Sequence, residues 1–352
     1  MPAPDVDPRR LLALLDRFRG RTVVVFGDLI ADEFIYGQVA RVSREAPVLI
    51  LKYDSTEIVP GGAGNAARNV ASLGGAARAV GLVGRDDAGR RLLRAMGRGV
   101  SRDGLLQPAD YRTPTKTRIL AGGVHSAKQQ VVRVDRDGGP VAARARGSGL
   151  LAMDRLRRQV AVRAAAAVRG CDALLVSDYG TGLVTPALVA KLRRVLAARP
   201  GPRVPVLVDS RYGLLRFTGM TACTPNESEV EHLLGVRIGE DPDTIERAGR
   251  TLLDGTRARA VLVTRGSRGM ALFEPRQPTR HIDIYGTDEI ADVTGAGDTV
   301  IATLTLALAS GASFYEAARL ANYAGGIVVM KRGTATVSAA ELRDAVASDL
   351  RG

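Results

Sequence analysis

Short runs of β-branched and apolar residues alternate along the chain with longer stretches in which apolar positions recur every three or four residues. RTVVVFGD (21–28), ARAVGLVG (77–84), DALLVSD (172–178), VPVLVDS (204–210) and RAVLVTRG (259–266) are continuous apolar runs that close on glycine or a polar residue. That is the pattern of strands buried on both faces. Between them, 65–73, 87–97, 151–168, 185–198, 227–234 and 243–253 carry apolar residues at helical spacing. The alternation predicts βαβ units and hence an α/β fold, a mostly parallel central sheet with helices on both faces. Residues 1–20, with the amphipathic stretch LLALLDRF, read as an N-terminal extension. Residues 21–352 read as one domain, because there is no internal repeat and no long linker.

Two segments break the rhythm. VLILKYDSTEIV (48–59) and the stretch 115–137 alternate as strands do, with Val132 and Val134 set against Arg133 and Asp135. Both are expected to form antiparallel hairpins, and 136–149 a loop. Lid segments at about 34–60 and 112–137 would together build a small β-sheet lid over the carboxyl ends of the main strands. Exposed lid strands offer a pairing edge, so a homodimer through the lid is expected.

Composition narrows the partners. Of 352 residues 45% are hydrophobic and 25% charged, so a packed core is available and disorder is excluded. No apolar run approaches the roughly 18 residues of a membrane span, and MPAPDVDPRR lacks the shape of a signal peptide. The expected location is cytoplasmic, with no membrane partner. Cys171 and Cys223 sit in apolar surroundings, which suits small buried hydrophobes better than a disulfide. The net charge of +13 raises nucleic acid as a partner, but 45 of the 50 basic residues are Arg scattered along the chain. With aromatics at 4% and no Trp, there is little for bases to stack on, and no nucleic-acid partner is expected.

Two glycine clusters are the candidate chemistry. In ADVTGAGDT, Gly295, Ala296 and Gly297 precede an apolar helix starting near Asp298. Bare backbone N–H groups there converge on an anion, and Asp298 is either a helix cap or a general base beside that anion site. In VPGGAGNAARN, Gly61, Gly62 and Gly64 open a helix carrying Asn65 and Asn69. That arrangement is either a tight turn or an amide set facing a polyol. The chain has no Walker lysine and no cluster of His or Cys at metal-ligand spacing.

FGDLIADEF, VPGGAGNAARNVASLGG, VGRDDAG, TPNESE, TRGSRG, DVTGAGDT and LANYAGGIVVMKRGT occur in the order found in ribokinase-like (phosphofructokinase-B type) carbohydrate kinases, which the chain resembles from about 21 to 345. VARVSREAPVLIL (39–51) and TPTKTRIL followed by QQVVRVD are most similar to the members that phosphorylate D-glycero-D-manno-heptose 7-phosphate at its anomeric carbon.

The resemblance implies an ATP- and Mg²⁺-dependent kinase acting on a small sugar or sugar phosphate. It makes Asp298 the catalytic base and Gly295, Ala296 and Gly297 the anion hole; Val300, where the family often has Phe, is a packing change. Asp292 and Thr294 match a monovalent-cation site, for which potassium is the expected ion. Asp32, Gly62 and Asn65 take sugar-binding places, and Ala63 argues against ribose, since ribokinase has Lys there. Asn226 and Glu229 fill an NxxE motif that steadies Mg²⁺ through water; without the resemblance, Asn226 is an ordinary helix cap. Thr264, Gly266 and Gly269 match an ATP-phosphate turn, and Asn322 the adenine pocket. A substrate phosphate calls for cations. Lys116, Arg118 and Arg133 on the lid strands are the candidates, unless they line only a solvated strand face. Asp178 in SDYGTG is a further substrate-binding candidate, although many heptose kinases carry Lys where this chain has Thr181. A kinase for fructose, a hexose phosphate or a nucleoside is the alternative substrate class, and a non-catalytic sugar or nucleotide sensor the alternative function. Heptose kinases are often fused to a nucleotidyltransferase; the sequence ends at Gly352, so a separate enzyme is expected to take the 1-phosphate onward in nucleotide-heptose biosynthesis.

Overall fold

The computed structural model describes residues 6–122, 128–140, 148–286, 292–331 and 333–349. Ala291 at the head of the second glycine motif, the hairpin tip 123–127 and 141–147 of the expected loop lie outside the described residues.

The chain opens with α1 (Pro8–Asp16), β1 (Thr22–Gly27), β2 (Leu29–Val42), β3 (Leu49–Gly62), α2 (Ala63–Ser72), β4 (Ala76–Leu82), α3 (Asp87–Ala95) and β5 (Val100–Leu106). It continues through β6 (Tyr111–Arg112), β7 (Thr115–Gly122), β8 (Gln129–Arg136), β9 (Gly139–Pro140), α4 (Ser148–Ala167), β10 (Ala173–Asp178), α5 (Pro186–Ala197), β11 (Val206–Ser210) and β12 (Ala222–Cys223). The last third holds α6 (Glu227–Leu234), α7 (Pro242–Thr256), β13 (Ala260–Thr264), β14 (Met270–Phe273), β15 (Arg280–Ile282), α8 (Ala296–Ala309), α9 (Phe314–Val329) and α10 (Ala339–Ser348).

Nine strands form the main sheet in the order β15-β14-β13-β12-β11-β10-β1-β4-β5, parallel from β13 to β5 and antiparallel at β14 and β15. Side chains alternate across it. Val23 and Val25 join a core with α1, α2, α8, α9 and α10, while Val24 and Phe26 join one with α4, α5 and α7. Helix starts are local: Asp7–Pro8, Thr185–Pro186 and Asp241–Pro242 pair a capping side chain with a proline already in helical φ. Helix α8 is apolar all round and buried from Asp298 to Ala307. Its Thr303 and Thr305 hydroxyls return to the carbonyls of Thr299 and Ile301, four residues back.

A four-stranded second sheet has the order β3-β2-β7-β8. The hairpin expected over 115–137 is present as β7 and β8. The segment 48–59, expected to be a hairpin, is instead one continuous strand, β3, which pairs antiparallel with β2 from Leu29↔Gly62 to Val42↔Leu49. Pairing along the whole of β2 takes 49–62 into one ladder that runs on through Asp54 and Ser55 and satisfies backbone groups along its length. The opening helix is built into the core, with Leu11, Leu14, Leu15 and Phe18 buried and Arg10 paired with Glu316.

Phe26 is fully enclosed at the centre of the parallel sheet. Phe26→Ala should lower the unfolding free energy by about 3–5 kcal/mol, a large share of a domain's stability, measurable as a shifted urea midpoint at unchanged slope.

Candidate active site

The parallel strands deliver their last residues to one edge, as α/β sheets do at a ligand crevice. Tyr179 follows β10, Asp209 and Arg211 stand at the end of β11, Thr224 follows β12, and Thr264 to Gly266 close β13. Together with the start of α8, Asn226, Glu229, Gly269, Asn322 and the Gly325–Gly326 pair, they line a cleft of about 670 Å³.

Asp298 lies in the first turn of α8 at the floor of this cleft, 3% exposed. Asn65 donates to one carboxylate oxygen at 2.8 Å and the Tyr179 hydroxyl to the other at 3.2 Å. Behind Asn65, its Oδ1 accepts from the Asn69 amide at 3.2 Å, and the Thr299 hydroxyl donates to Asn69 Oδ1 at 3.1 Å. The polar groups of α2 and α8 thus satisfy one another, as buried groups must. Burial pushes the Asp298 carboxyl up to about 7, with the charge of Asp32 adding to it, while the Asn65 and Tyr179 hydrogen bonds and Lys116 hold it down.

Gly295 opens α8 at φ +79°, and a Cβ there would stand 2.6 Å from the Asn65 amide nitrogen. Only glycine lets the helix start this close to α2. A Cβ on Gly297 would meet nothing within 4 Å, so its backbone borders open space. The Ala296 N–H is already taken by the Val293 carbonyl at 3.2 Å, which corrects the expectation that all three amides of the anion hole stand bare.

Several residues expected to meet the sugar or its phosphate lie on the strands of the small sheet. Asp32 on β2 and Lys116 on β7 are in register, as are Phe34 and Arg118. Lys116 opposes Asp135 and Arg118 opposes Arg133, so all of these share one face of that sheet. Lys116 lies over the Tyr179 ring with its nitrogen 5.1 Å from the centroid; burial and the nearby Arg211 make it less basic than an ordinary lysine. Two expected phosphate contacts are otherwise engaged. Arg118 forms an ion pair of 2.6 Å with Asp32, both side chains largely covered, and Arg133 is paired with Asp135 at 2.8 Å. The opposite charges that alternation placed on neighbouring strands and positions find each other first. Asp178 likewise accepts from the Gly180 N–H at 3.1 Å and the Ser210 hydroxyl at 2.7 Å, and so shapes its own turn. Gly62, at φ +56°, ends β3 where a Cβ would be 2.6 Å from the Asp28 carbonyl oxygen.

On the opposite side, Asn226 and Glu229 cap α6 reciprocally, at 2.9 and 3.0 Å, and also line the cleft, so the cap and the ligand reading coexist. Burial raises the carboxyls of Glu229 and Asp209, and the Glu229 charge adds to the rise at Asp209. Asn322 donates to the Asp283 carbonyl at 2.8 Å and stands between the cleft and a second cavity of about 340 Å³. Asp292 accepts from the Thr294 N–H at 2.8 Å and the Gly333 N–H at 3.1 Å, tying the loop before α8 to the segment after α9. Among the described residues, no group of three or more His, Cys, Asp or Glu side chains is placed to hold a metal ion.

Sequence reasoning missed Asp28, Tyr179, Asp209 and Arg211. Asp28 sits between the two sheets and accepts from the N–H groups of Tyr179 and Thr181 at 2.8 and 3.2 Å and from the Thr181 hydroxyl. Each of the four stands at or just past the carboxyl end of a parallel strand, a signal present in the sequence.

The pfkB family carbohydrate kinase profile matches residues 21–131 and 164–341. The chain belongs to this family and is an ATP-dependent carbohydrate kinase. It is 40% identical over 345 residues to the "Bifunctional protein HldE" of Caulobacter vibrioides and 38% identical to that of Pelobacter propionicus, in each case over 97% of this chain and 66% of the relative. The chain thus spans about two-thirds of the length of these relatives. In fold it is similar to Arabidopsis thaliana ribokinase complexed with ribose and ATP (TM-score 0.67, 21% identity, 95% of this chain and 99% of that one). It is likewise similar to Escherichia coli phosphofructokinase-2 in complex with potassium (TM-score 0.68, 18% identity, 93% and 98%).

Because the folded Asp298 carboxyl holds its proton up to about 7 and an unfolded one only to about 4, its ionisation opposes folding: stability falls as pH rises from about 4 to 7 and levels off above. Asp298→Asn should therefore be the more stable protein at pH 8, by on the order of 2–4 kcal/mol, with the advantage vanishing toward pH 4. Urea unfolding of both proteins across that range measures it; a difference independent of pH would contradict the burial of the charge.

Proposed function

We propose that the protein transfers the γ-phosphoryl group of ATP to the anomeric hydroxyl of D-glycero-D-manno-heptose 7-phosphate, giving the 1,7-bisphosphate. The observation that carries this reading is Asp298: a buried carboxylate tuned near neutrality, between two hydrogen-bond donors, at the start of a helix on the floor of a cleft. The similarity to HldE proteins supports the choice of heptose.

In the proposed reaction the Asp298 carboxylate takes the proton of the anomeric hydroxyl as its oxygen attacks the γ-phosphorus. The bond from that phosphorus to the β–γ bridging oxygen breaks, and ADP leaves. A base near pH 7 combines enough ionised form with enough proton affinity. The bare N–H groups at the start of α8, beside Gly297, stabilise the charge on the transferring group. Glu229 and Asp209, two cleft carboxylates raised by burial, would hold a Mg²⁺ ion carried by the nucleotide, and the ion would supply charge neutralisation to the phosphates. Thr264, Gly266 and Gly269 border the phosphates and Asn322 the base. Asp32, Gly62 and Asn65 hold the sugar, with Asp32 oriented by Arg118. Lys116 is the cation left for the 7-phosphate, with Arg133 at the rim. Asp292 and Thr294, in the loop leading into α8, are the proposed seat of a potassium ion.

The small sheet closes over the acceptor and excludes water. Its exposed Val39, Val42, Val48, Leu49, Tyr53, Val132 and Val134 support a homodimer formed sheet to sheet, working in the cytoplasm. No helix among the described residues is long and apolar enough to cross a membrane.

Asp298→Asn should lower turnover by about 10²-fold or more with the KM values little changed; retention of more than half the rate would remove Asp298 as the base. An ADP-release screen of free and phosphorylated hexoses and heptoses should single out heptose 7-phosphate, and a preference for fructose, a hexose phosphate or a nucleoside would reassign the substrate. Val132→Asp with Val134→Asp should convert dimer to monomer by light scattering.

A further inference from the structure

Tyr179 occupies the junction between the two halves of the cleft, and four separate elements fix it there. Its backbone N–H is held by Asp28 at 2.8 Å, at the point where the chain leaves the main sheet for the small one. Its ring packs where a Cβ on Gly62 would come within 3.3 Å. Its upper face carries the Lys116 ammonium of the small sheet, 5.1 Å from the centroid, a cation–π distance. Its hydroxyl donates to Asp298 Oδ1 at 3.2 Å.

We propose that Tyr179 is the positioning residue of Asp298, and that it is the side chain through which the small sheet acts on the base. The proposal rests on Asp298 being the proton acceptor. Asn65, rooted in α2, fixes one carboxylate oxygen whatever the small sheet does. Tyr179 fixes the other, and its ring is the seat of Lys116. When Lys116 is drawn toward an anionic acceptor, the contact changes on the ring whose hydroxyl already holds Asp298.

The hydrogen bond also sets the direction of a measurable effect. Tyr179 donates to the ionised carboxylate and so favours it. Burial and the charges of Asp298, Asp209 and Asp32 keep the phenol protonated, with Arg211 opposing, so it remains a donor through the working range. The groups facing Asp298 are Asn65 from α2, Asp32 from β2, Lys116 from β7 and Tyr179 itself, with the Asp209 carboxyl of β11 also interacting with its charge. Tyr179→Phe leaves the first three in place and removes one donor.

Tyr179→Phe, which keeps the ring against Gly62 and under Lys116, should leave the KM for ATP and for heptose 7-phosphate within about twofold. The acid limb of kcat should move up by about one pH unit, as loss of a hydrogen bond to a charged group predicts. The rate then falls several-fold near pH 6.5 and converges on the parent near pH 8.5. Infrared titration of the Asp298 carboxyl in the ligand-free protein, with Asp298→Asn as the blank, should show the same upward shift without any acceptor present. Tyr179→Leu should shift the limb equally and in addition raise the KM for the sugar phosphate, because Lys116 loses its seat. A Tyr179→Phe profile that superimposes on the parent, or a rate lowered by one factor at every pH, overturns the positioning role. A Tyr179→Leu KM equal to that of Tyr179→Phe overturns the link to the small sheet. If Asp298→Asn is dead while the Tyr179→Phe profile is unmoved, this inference fails and the base assignment stands. If Asp298→Asn is active, the base assignment fails, and the infrared titration alone decides whether Tyr179 governs the carboxyl.

Discussion

A carboxylate without water is the condition around which the molecule is organised. Asp298 is taken out of solvent by an apolar helix on one side and the ends of parallel strands on the other, and that desolvation raises its proton affinity toward neutrality. Left alone, such a group would simply remain protonated. The Asn65 amide, the Tyr179 hydroxyl and the nearby Lys116 ammonium oppose that outcome and bring its affinity back to where an exchange of protons near pH 7 is feasible. Each of the three comes from a different element, so the balance exists only when the main sheet, α2 and the small sheet are assembled.

The backbone geometry serves the same balance. Helix α8 can bring its first turn to Asn65 because Gly295 leaves no Cβ between them. The main sheet ends β1 at Gly27, one residue of carboxylate follows, and β2 begins the small sheet at Leu29. That intervening residue, Asp28, binds the turn that carries Tyr179 and Thr181. One side chain therefore sets the relative placement of both sheets and of the groups at their junction. Its burial raises its own carboxyl to about 6, a desolvation that the three donors only partly offset.

The parallel framework was legible because periodicity reports burial: RTVVVFGD and DALLVSD became adjacent paired strands, Val23↔Ala173 through Gly27↔Ser177. The two glycine motifs were legible because a helix start that approaches another backbone permits few residues, and the Asn65–Asp298 contact joins them across 233 positions. Partner choice was not legible. Nothing local says that the long strand 49–62 pairs with 29–42 rather than folding on itself, since strand pairing is settled by the surface each can cover. Nor does sequence say which arginine is free: Arg118 and Arg133 read as open cations, and Asp32 and Asp135 bind them. Tyr179 was overlooked because a tyrosine after a strand is ordinary until the carboxylate it faces is known.

The small sheet enters and leaves the framework at only a few points: β2 and β3 form a single excursion between β1 and α2, and β7 and β8 another between β6 and β9. The residues that line the cleft at the edge of the main sheet belong to neither excursion. On the proposed reading, most of the acceptor contacts thus fall on two excursions of the chain, with Asn65 of α2 outside them. A change in those excursions would alter what the proposed acceptor meets, and would leave the balance at Asp298 undisturbed only where Asp32 and Lys116 keep their register across the parallel seam.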